Sequence, residues 1–253
     1  GATVTMVCRN RDKGEAARRD IEERIGSVSL ELMVADLSSQ AEIRRLAEEF
    51  QNKHDRLDVL VNNAGVFVRR RSVTQDGIET TFAVNHLAYF LLTNLLLDAI
   101  KRSAPARIVN VSSRAHTSAT INFDDLQGER QYGGWSAYCQ SKLANILFTR
   151  ELARRVEGSG VTVNCLHPGV IATGLFRNLP KILHLPLRIF LSTPEKGAET
   201  SVYLAASPEV EGVTGKYFDK KRAVASSPES QNAENARRLW EVSERLTSMN
   251  FGF

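Results

Sequence analysis

The sequence has few cysteines and no long apolar run. Its three cysteines are Cys8, Cys139 and Cys165, and neither C-x-x-C nor a His/Cys metal-ligand spacing occurs. An odd, scattered set is typical of reduced thiols rather than of a disulfide framework. No uninterrupted apolar run approaches the roughly 20 residues that span a bilayer. We therefore expect a cytoplasmic protein with no metal site, although an upstream targeting or anchor segment would not be visible in this sequence.

The charge balance is only mildly basic. The 253 residues include 33 Lys and Arg against 29 Asp and Glu, a net charge of +4, with 42% hydrophobic and 25% charged residues. The basic residues are dispersed along helices rather than clustered, so the composition does not predict a nucleic-acid partner. A small anionic ligand is compatible with this excess.

Strand-like and helical patterns alternate along the chain. Several strands are continuous apolar runs, such as "DVLVNNAG" and "RIVNVSS", which is typical of strands buried on both faces of a parallel sheet. The alternation predicts a doubly wound α/β fold in a single domain, residues 1–253. Predicted strands are Thr3–Cys8, Ser29–Ala35, Leu57–Val61, Arg107–Ser112, Val161–Leu166 and Gly215–Phe218, and predicted helices are 13–25, 39–54, 75–101, 136–157, 194–206 and 232–248.

Small, polar and glycine-containing segments follow the predicted strands. They are "RNRDK", "DLSS", "NNAG", "SSRAH" and "HPGV" in chain order. Ligands of open parallel sheets bind outside the carboxyl ends of the strands. The set therefore predicts a binding edge, although any single polar loop would carry little weight.

The stretch "SAYCQSKLANILF" places Tyr138 and Lys142 four residues apart, on one face of a helix. An ammonium group near a phenol favours the phenolate, so such a pair can exchange a proton near neutral pH. By itself the spacing is also that of an exposed Tyr and Lys on an amphipathic helix.

Other polar residues fall at the same predicted edge. Ser112 and Ser113 end a buried strand, where a hydroxyl could hold a carbonyl oxygen against Tyr138. The turn 62–65, "NNAG", allows close approach of backbone to a ligand. Asn85 lies within the apolar run "FAVNHLAYFLL" and needs a hydrogen-bond partner, which a neighbouring backbone group could equally supply.

Taken together, the chain resembles the short-chain dehydrogenase/reductase family over nearly all of its length. The motifs are "NNAG", Asn85, "VNVSS", "YCQSK" and "HPG", in the family's order. Within the family the chain is most similar to the retinol dehydrogenase branch, whose NADP-linked members act on retinal and other lipophilic aldehydes. The stretches "VNHLAYFLLTNLLL", "FDDLQ" and "GVTVNCLHPGV" carry this closer resemblance.

The resemblance implies four catalytic residues. Tyr138 would donate or accept the proton, Lys142 would lower its pKa and hold the nicotinamide ribose, Ser113 would position the substrate carbonyl, and Asn85 would organise a proton-relay water. The cofactor-binding residues that it implies, besides Tyr138 and Lys142, are Asp36, Asn62, Ala64, Gly65, Pro168, Gly169 and Thr173.

Arg9 predicts the cofactor. The resemblance implies that the predicted strand Thr3–Cys8 is the second strand of a dinucleotide-binding fold. In such a fold, an acidic residue just after the second strand suits a ribose 2′-hydroxyl, whereas an arginine suits a 2′-phosphate. "CRN" therefore favours NADP(H), with Arg9 as the main contact and Lys13 as a helper. A solvated loop arginine is the alternative.

Two segments predict the substrate side. The 24 residues between Ser113 and Tyr138 exceed a tight strand–helix connection and are expected to wall part of a cleft. The apolar, basic segment 179–194 is expected to cover the substrate, in preference to lying on a membrane surface. We therefore expect a lipophilic carbonyl or alcohol substrate, and the long helices suit a homo-oligomer.

One family feature is missing. Neither G-x-x-x-G-x-G nor G-x-G-x-x-G occurs among the 16 glycines. The resemblance therefore implies a three-layer, Rossmann-like sheet lacking its first strand, phosphate-binding loop and helix, with two unpaired inner edges. The sequence predicts an oxidoreductase whose native chain begins upstream, the 253 residues alone being weakly active or inactive. The alternative is a catalytically silent binding module, or a subunit completed by a partner.

Overall fold

The computed structural model describes residues 2–26, 29–169 and 193–249. The strands are β1 (Thr3–Cys8), β2 (Ser29–Val34), β3 (Val59–Asn62), β4 (Ala106–Val111), β5 (Val161–His167), β6 (Tyr217–Asp219) and β7 (Arg222–Val224). The helices of more than one turn are α1 (Arg11–Ile25), α2 (Gln40–Lys53), α3 (Thr80–Arg102), α4 (Gly134–Arg155), α5 (Pro194–Ala206) and α6 (Ala233–Leu246). Short 3₁₀ turns cover Arg114–Ser118, Pro208–Val210 and Pro228–Gln231.

The strands form two sheets. Strands β1 and β2 pair in parallel, and β3 to β7 form a second sheet in sequence order, parallel except for β7. Within the described residues, β1 and β3 each pair on one side only. Val4, Val7 and Val61 on these strands are exposed. The predicted parallel α/β fold and its two unpaired edges are confirmed, whereas β7 was not predicted.

Helix α3 supplies much of the core. By length and mean hydropathy it could cross a membrane, but 89% of its most apolar window is buried inside the protein. Its residues Phe90, Leu91 and Ile100 are fully buried, in a cluster that also includes Ile108 of β4. The apolar character of this helix is therefore used for packing against the sheet.

Helix α3 begins later than predicted. The amide of Thr74 donates to the carbonyl of Ile78, and Gly77 adopts a φ of 74° in the resulting turn. The buried carboxylate of Glu79 then accepts hydrogen bonds from the amides of Thr81 and Phe82, which caps the helix. The polar stretch before Thr80 is a turn because its glycine favours a positive φ.

One turn of α3, Ala83–Leu87, is a π-helix. It carries Asn85 and His86, both fully buried. Such turns widen the helix locally and often occur at functional sites. Here the widened turn brings Asn85 to the segment that follows β3, at the carboxyl edge of the larger sheet.

Candidate active site

Tyr138 lies in the first turns of α4 and is only 8% exposed. The side chain of Ser113 is close enough to its hydroxyl to lower the pKa of the phenol. The indole of Trp135 stacks on its ring at 5.7 Å between centroids, and the ring of Phe67 meets it edge-on at 6.0 Å. The phenol thus lies beside the end of β4, with two aromatic rings against its own ring.

The two serines after β4 have different surroundings. The Oγ of Ser112 is buried and donates to the carbonyl of Lys142 at 2.7 Å. The Oγ of Ser113 accepts from the amide of Ala115 at 3.2 Å and faces Tyr138. Ser112 therefore joins strand to helix, and Ser113 is the serine that meets the phenol.

Lys142 is buried one turn beyond Tyr138. Its Nζ donates to the carbonyl of Val111 at 3.1 Å and lies 5.7 Å from the centroid of the Tyr138 ring. Burial lowers the pKa of Lys142 to about 8. One of its three N–H groups is used by Val111, so donors remain for a bound hydroxyl-rich group.

The pKa of Tyr138 differs from the sequence-based expectation. Burial raises it, and the side chain of Ser113 only partly offsets that effect. The expected net lowering of the Tyr138 pKa is therefore wrong for this arrangement, because burial disfavours the charged phenolate and outweighs the effect of Ser113.

Asn85 is held by three hydrogen bonds. Its Oδ1 accepts from the amide of Val66 at 2.7 Å, and its Nδ2 donates to the carbonyl of Val66 and to the Oγ of Ser141. Ser141 in turn donates to the carbonyl of Tyr138 at 2.7 Å. Asn85 therefore links the segment after β3 to the helix that carries Tyr138.

The segment 62–65 reaches the same place. A Cβ added to Gly65 would lie 3.5 Å from both Asn85 Oδ1 and Lys142 Nζ, so this backbone directly borders the site. The carbonyl of Ala64 accepts from the hydroxyl of Tyr89 at 2.7 Å. The side chain of Asn62 points into the core, donating to Thr93 and Asn110, so any ligand contact by Asn62 falls to its backbone.

The remaining predicted residues lie at the ends of other strands. Arg9 and Lys13 are exposed after β1, and within the described residues neither side chain forms an ion pair. Asp36, after β2, accepts from the amide and hydroxyl of Ser38. Pro168 and Gly169 follow β5, whereas Thr173 and most of the segment 179–194 lie outside the described residues.

Side chains that the sequence did not single out support Ser113 from behind. The ring of His116 bonds the carbonyl of Ser113, and the Nδ1 of His167 accepts from the amide of Arg114 at 3.4 Å. Arg114 also forms an ion pair with Asp219 at 2.6 Å. The motifs "SSRAH" and "HPG" contained three of these residues, Arg114, His116 and His167, but Asp219 is distant in the chain.

The donor set fits the ribose end of a nicotinamide nucleotide. Phenol and ammonium lie one helical turn apart, and the Gly65 backbone leaves room beside them that a larger side chain would fill. The residues that would hold this end are Tyr138, Lys142, Asn85 and the Gly65 backbone. The arrangement offers proton transfer at Tyr138 and hydrogen-bond donation at Ser113.

Comparison with known proteins gives consistent results. Residues 1–182 match the short chain dehydrogenase family model. The chain is 45% identical to human retinol dehydrogenase 14 over 98% of its length and 80% of that protein. It is also 45% identical to human retinol dehydrogenase 13, over 98% of its length and 78% of that protein.

Solved structures share the fold. A protein from Mycobacterium paratuberculosis is 33% identical, with a TM-score of 0.78 over 100% of this chain and 87% of that one. The Pseudomonas aeruginosa RhlG/NADP active-site complex is 29% identical, with a TM-score of 0.68 over 86% of this chain and 84% of that one.

Proposed function

The chain is an oxidoreductase of the short-chain dehydrogenase family, and from that premise we propose that it transfers hydride between NADP(H) and a lipophilic carbonyl or alcohol, with Tyr138 as the acid/base. The observation that carries this proposal is the meeting of Tyr138, Ser113 and Lys142: Ser113 is close enough to lower the pKa of the phenol, and Lys142 Nζ lies 5.7 Å from the centroid of the Tyr138 ring. The alternative of a catalytically silent module is disfavoured, because separate elements bring all four predicted catalytic side chains to one edge.

In the reducing direction, Tyr138 gives its proton to the substrate oxygen while Ser113 donates a hydrogen bond to the same oxygen. A nicotinamide cofactor, when bound, would supply the hydride to the carbonyl carbon. The raised pKa of Tyr138 keeps its phenol protonated before transfer, which suits the acid role. In the oxidising direction the phenolate takes the proton, and a positive charge on Lys142 nearby would favour the phenolate form that this step requires.

Asn85 has a supporting role in this proposal. Its amide fixes the position of the Gly65 backbone through Val66, and it holds Ser141 on the catalytic helix. A relay water would meet Asn85 close to Lys142, since Gly65 borders both side chains. Replacement of Asn85 would therefore disturb both the proton path and the backbone that lines the cofactor.

The lipophilic substrate is supported by the surface beside the phenol. Trp135 is 57% exposed although it stacks on a buried catalytic ring, and Phe67 lies against the same ring. An apolar substrate would bury these faces at the site. The names of the retinol dehydrogenases, 45% identical, agree with a substrate of this kind.

NADP is supported at the other end of the site. The exposed guanidinium of Arg9 lies just after β1, where an arginine suits a 2′-phosphate, and Lys13 is one turn into α1. The RhlG structure with its NADP complex has the same fold at 29% identity. Asp36, Pro168, Gly169 and, outside the described residues, Thr173 complete the proposed cofactor contacts.

Substitution of Tyr138 tests the mechanism. The full-length protein should oxidise NADPH with long apolar aldehydes and ketones better than with small polar ones, followed at 340 nm. Tyr138→Phe should lower kcat/KM by about 10³-fold, the range of one acid/base group, while NADPH binding measured by fluorescence stays within about twofold.

Tyr203→Phe is the matched control. Tyr203 lies on α5, and its hydroxyl donates to Glu209 in the following 3₁₀ turn, away from the helix that carries Tyr138, so this variant should keep its rate. Undiminished turnover by Tyr138→Phe would contradict the mechanism. A lack of NADPH oxidation by the native protein across the panel would contradict the proposed substrate and cofactor.

A further inference from the structure

The ring of His116 lies directly behind the catalytic serine. Its Nδ1 lies 2.6 Å from the carbonyl oxygen of Ser113, and its backbone amide donates to that oxygen at 3.2 Å. The side chain is 1% exposed and packs edge-on against the ring of Tyr217 at 4.8 Å. Two hydrogen bonds from one residue therefore converge on the peptide that follows Ser113.

The second ring nitrogen fixes the protonation state. The backbone amide of Ser227 lies 3.2 Å from Nε2 of His116, and an amide N–H can only donate. Nε2 must therefore accept, which leaves the proton on Nδ1 and makes Nδ1–H the donor to Ser113. Burial lowers the pKa of His116, which agrees with a neutral ring.

Ser227 belongs to a turn that is itself tied to the catalytic helix. The hydroxyl of Ser230 donates to the carbonyl of Ser227 at 2.6 Å, and it accepts from the hydroxyl of Ser226 at 2.6 Å. Ser226 also accepts from the Nη2 of Arg150, on α4, at 3.3 Å. The ring of His116 thus connects a turn anchored on the Tyr138 helix to the end of β4.

We infer that His116 is a positioning residue: through Nδ1–H it sets the orientation of the Ser113 backbone, and so the direction of the Ser113 hydroxyl towards Tyr138. Ser113 has extended backbone and caps the 3₁₀ turn Arg114–Ser118, so rotation of its peptide would swing Oγ away from the phenol. This inference rests on the proposed roles of Ser113 and Tyr138 in carbonyl reduction.

Two substitutions distinguish the roles of the two ring nitrogens of His116. An asparagine amide can occupy the Nδ1 position and donate to Ser113, whereas a glutamine carbonyl can occupy the Nε2 position and accept from Ser227. His116→Asn should keep kcat within about threefold, and His116→Gln should lower kcat by about tenfold or more, as misplaced catalytic groups do. The KM for NADPH should not change in either variant.

Melting temperatures of both variants distinguish positioning from folding. The inference would be overturned if the loss of kcat in the two variants followed their loss of melting temperature instead of the loss of the donor to Ser113. Equal kcat values for the two variants would also overturn it. A larger loss in His116→Asn than in His116→Gln would overturn it too, because the contact with Ser227 would then be the important one.

A second measurement does not need activity. In ¹⁵N-histidine-labelled protein at pH 7, the signal that disappears in His116→Asn should be that of a neutral ring protonated on Nδ1. The ¹³C carbonyl resonance of Ser113 should move in His116→Gln and stay near its native position in His116→Asn. A ring protonated on Nε2, or an unmoved Ser113 resonance in His116→Gln, would overturn the inference even if no substrate were turned over.

Discussion

Lys142, which we propose to be catalytic, lowers the stability of the folded protein. Its ammonium is buried, and burial lowers its pKa to about 8 from the 10.5 of an exposed lysine. Below pH 8 both the folded and the unfolded protein carry the proton, so the folded state bears the whole desolvation penalty. Between pH 8 and 10.5 the unfolded chain binds more protons, so stability rises with pH across that window.

Lys142→Met should therefore stabilise the protein while reducing activity. At pH 7 the free energy of unfolding should increase by about 3 kcal/mol, since each unit of pKa shift corresponds to about 1.4 kcal/mol. The Val111 carbonyl keeps a donor in Asn145 Nδ2. The gain should shrink between pH 8 and 10.5, measured by urea unfolding at several pH values.

Lys53→Met, at an exposed site on α2, controls for the loss of a lysine. A stability difference for Lys142→Met that is constant from pH 7 to 10.5 would mean that the buried ammonium is not shifted. A lower stability at pH 7 would mean that packing around the aliphatic chain outweighs desolvation.

Arg9→Asp should move cofactor preference towards NADH. The carboxylate would repel a 2′-phosphate and accept a hydrogen bond from a ribose 2′-hydroxyl. We expect the NADPH/NADH ratio of kcat/KM to fall by at least about tenfold, equivalent to 1.4 kcal/mol. Arg19→Asp makes the same charge change further along α1 and should leave the ratio unchanged, and an unaltered ratio in Arg9→Asp would reject Arg9 as the discriminating residue.

Residue types and order were enough to predict which side chains meet, but not all of their surroundings. Ser113 was chosen over Ser112 by resemblance, and the hydrogen bond of Ser112 to the Lys142 carbonyl now gives a physical reason. The pKa of Tyr138 could not be predicted from spacing, because it depends on burial. His116 was missed because its partner Ser227 is 111 residues away.

At the scale of elements, the start of α4 is fixed by a close backbone approach. A Cβ on Gly134 would lie 2.6 Å from the Val68 carbonyl oxygen and 2.9 Å from the Cα of Arg69. The segment 67–69 therefore packs on the first residue of the helix that carries Tyr138. Helix and segment also present the two aromatic rings beside the phenol, Trp135 and Phe67.

Gly134→Ala should destabilise this junction. Backbone atoms cannot rotate away as side chains do, so we expect a loss of about 1–3 kcal/mol, as for overpacked cores. The KM for apolar aldehydes should rise as Phe67 and Trp135 separate. Thermal unfolding and steady-state kinetics measure the two effects.

Gly133→Ala is the neighbouring control. Its added Cβ would meet only Ser136 Cβ, at an ordinary 3.6 Å, and its φ of −127° suits any residue. This variant should change stability by less than about 1 kcal/mol, the usual effect of a cap substitution. Equal losses in both variants would mean that helix propensity, not the contact with Val68, is responsible.

Hydrophobic periodicity predicted where the helices lie but not where each helix begins. The apolar pattern predicted a helix over 75–101, whereas α3 begins at Thr80 because Glu79 caps it and Gly77 turns the chain. The π-helical turn Ala83–Leu87 also has no sequence signature, since its extra residue is accommodated by packing around Asn85. Periodicity locates an element, and capping contacts set its ends.

At the scale of the whole molecule, the division into two sheets should appear in amide exchange. β4 and β5 have hydrogen-bonded neighbours on both sides, whereas β1 and β3 are paired on one side only within the described residues. Amides of 108–111 and 163–166 should exchange at least about a hundredfold more slowly than the unpaired amides of 4–7, because local openings differ in free energy.

Hydrogen–deuterium exchange with peptide-level mass spectrometry measures this difference, with β4 as the internal reference. Uniform protection across β1 and β4 would mean that the outer edge of β1 is covered in solution. The alternation of strands and helices predicted the parallel fold, but the pairing of β7 depends on a turn through Lys220 and Lys221 at positive φ, which composition does not reveal.

The two bonds between Lys142 and β4 also have a mechanical consequence. Ser112 Oγ donates to the carbonyl of Lys142, and Lys142 Nζ donates to the carbonyl of Val111, so strand end and helix are fastened by a reciprocal clasp. These two bonds hold the strand end and the helix together beside Tyr138 and Ser113. Within the described residues, we expect motion that admits a bulky substrate around Phe67 and Trp135, so the speed of entry and release can evolve there without changing the proton chemistry.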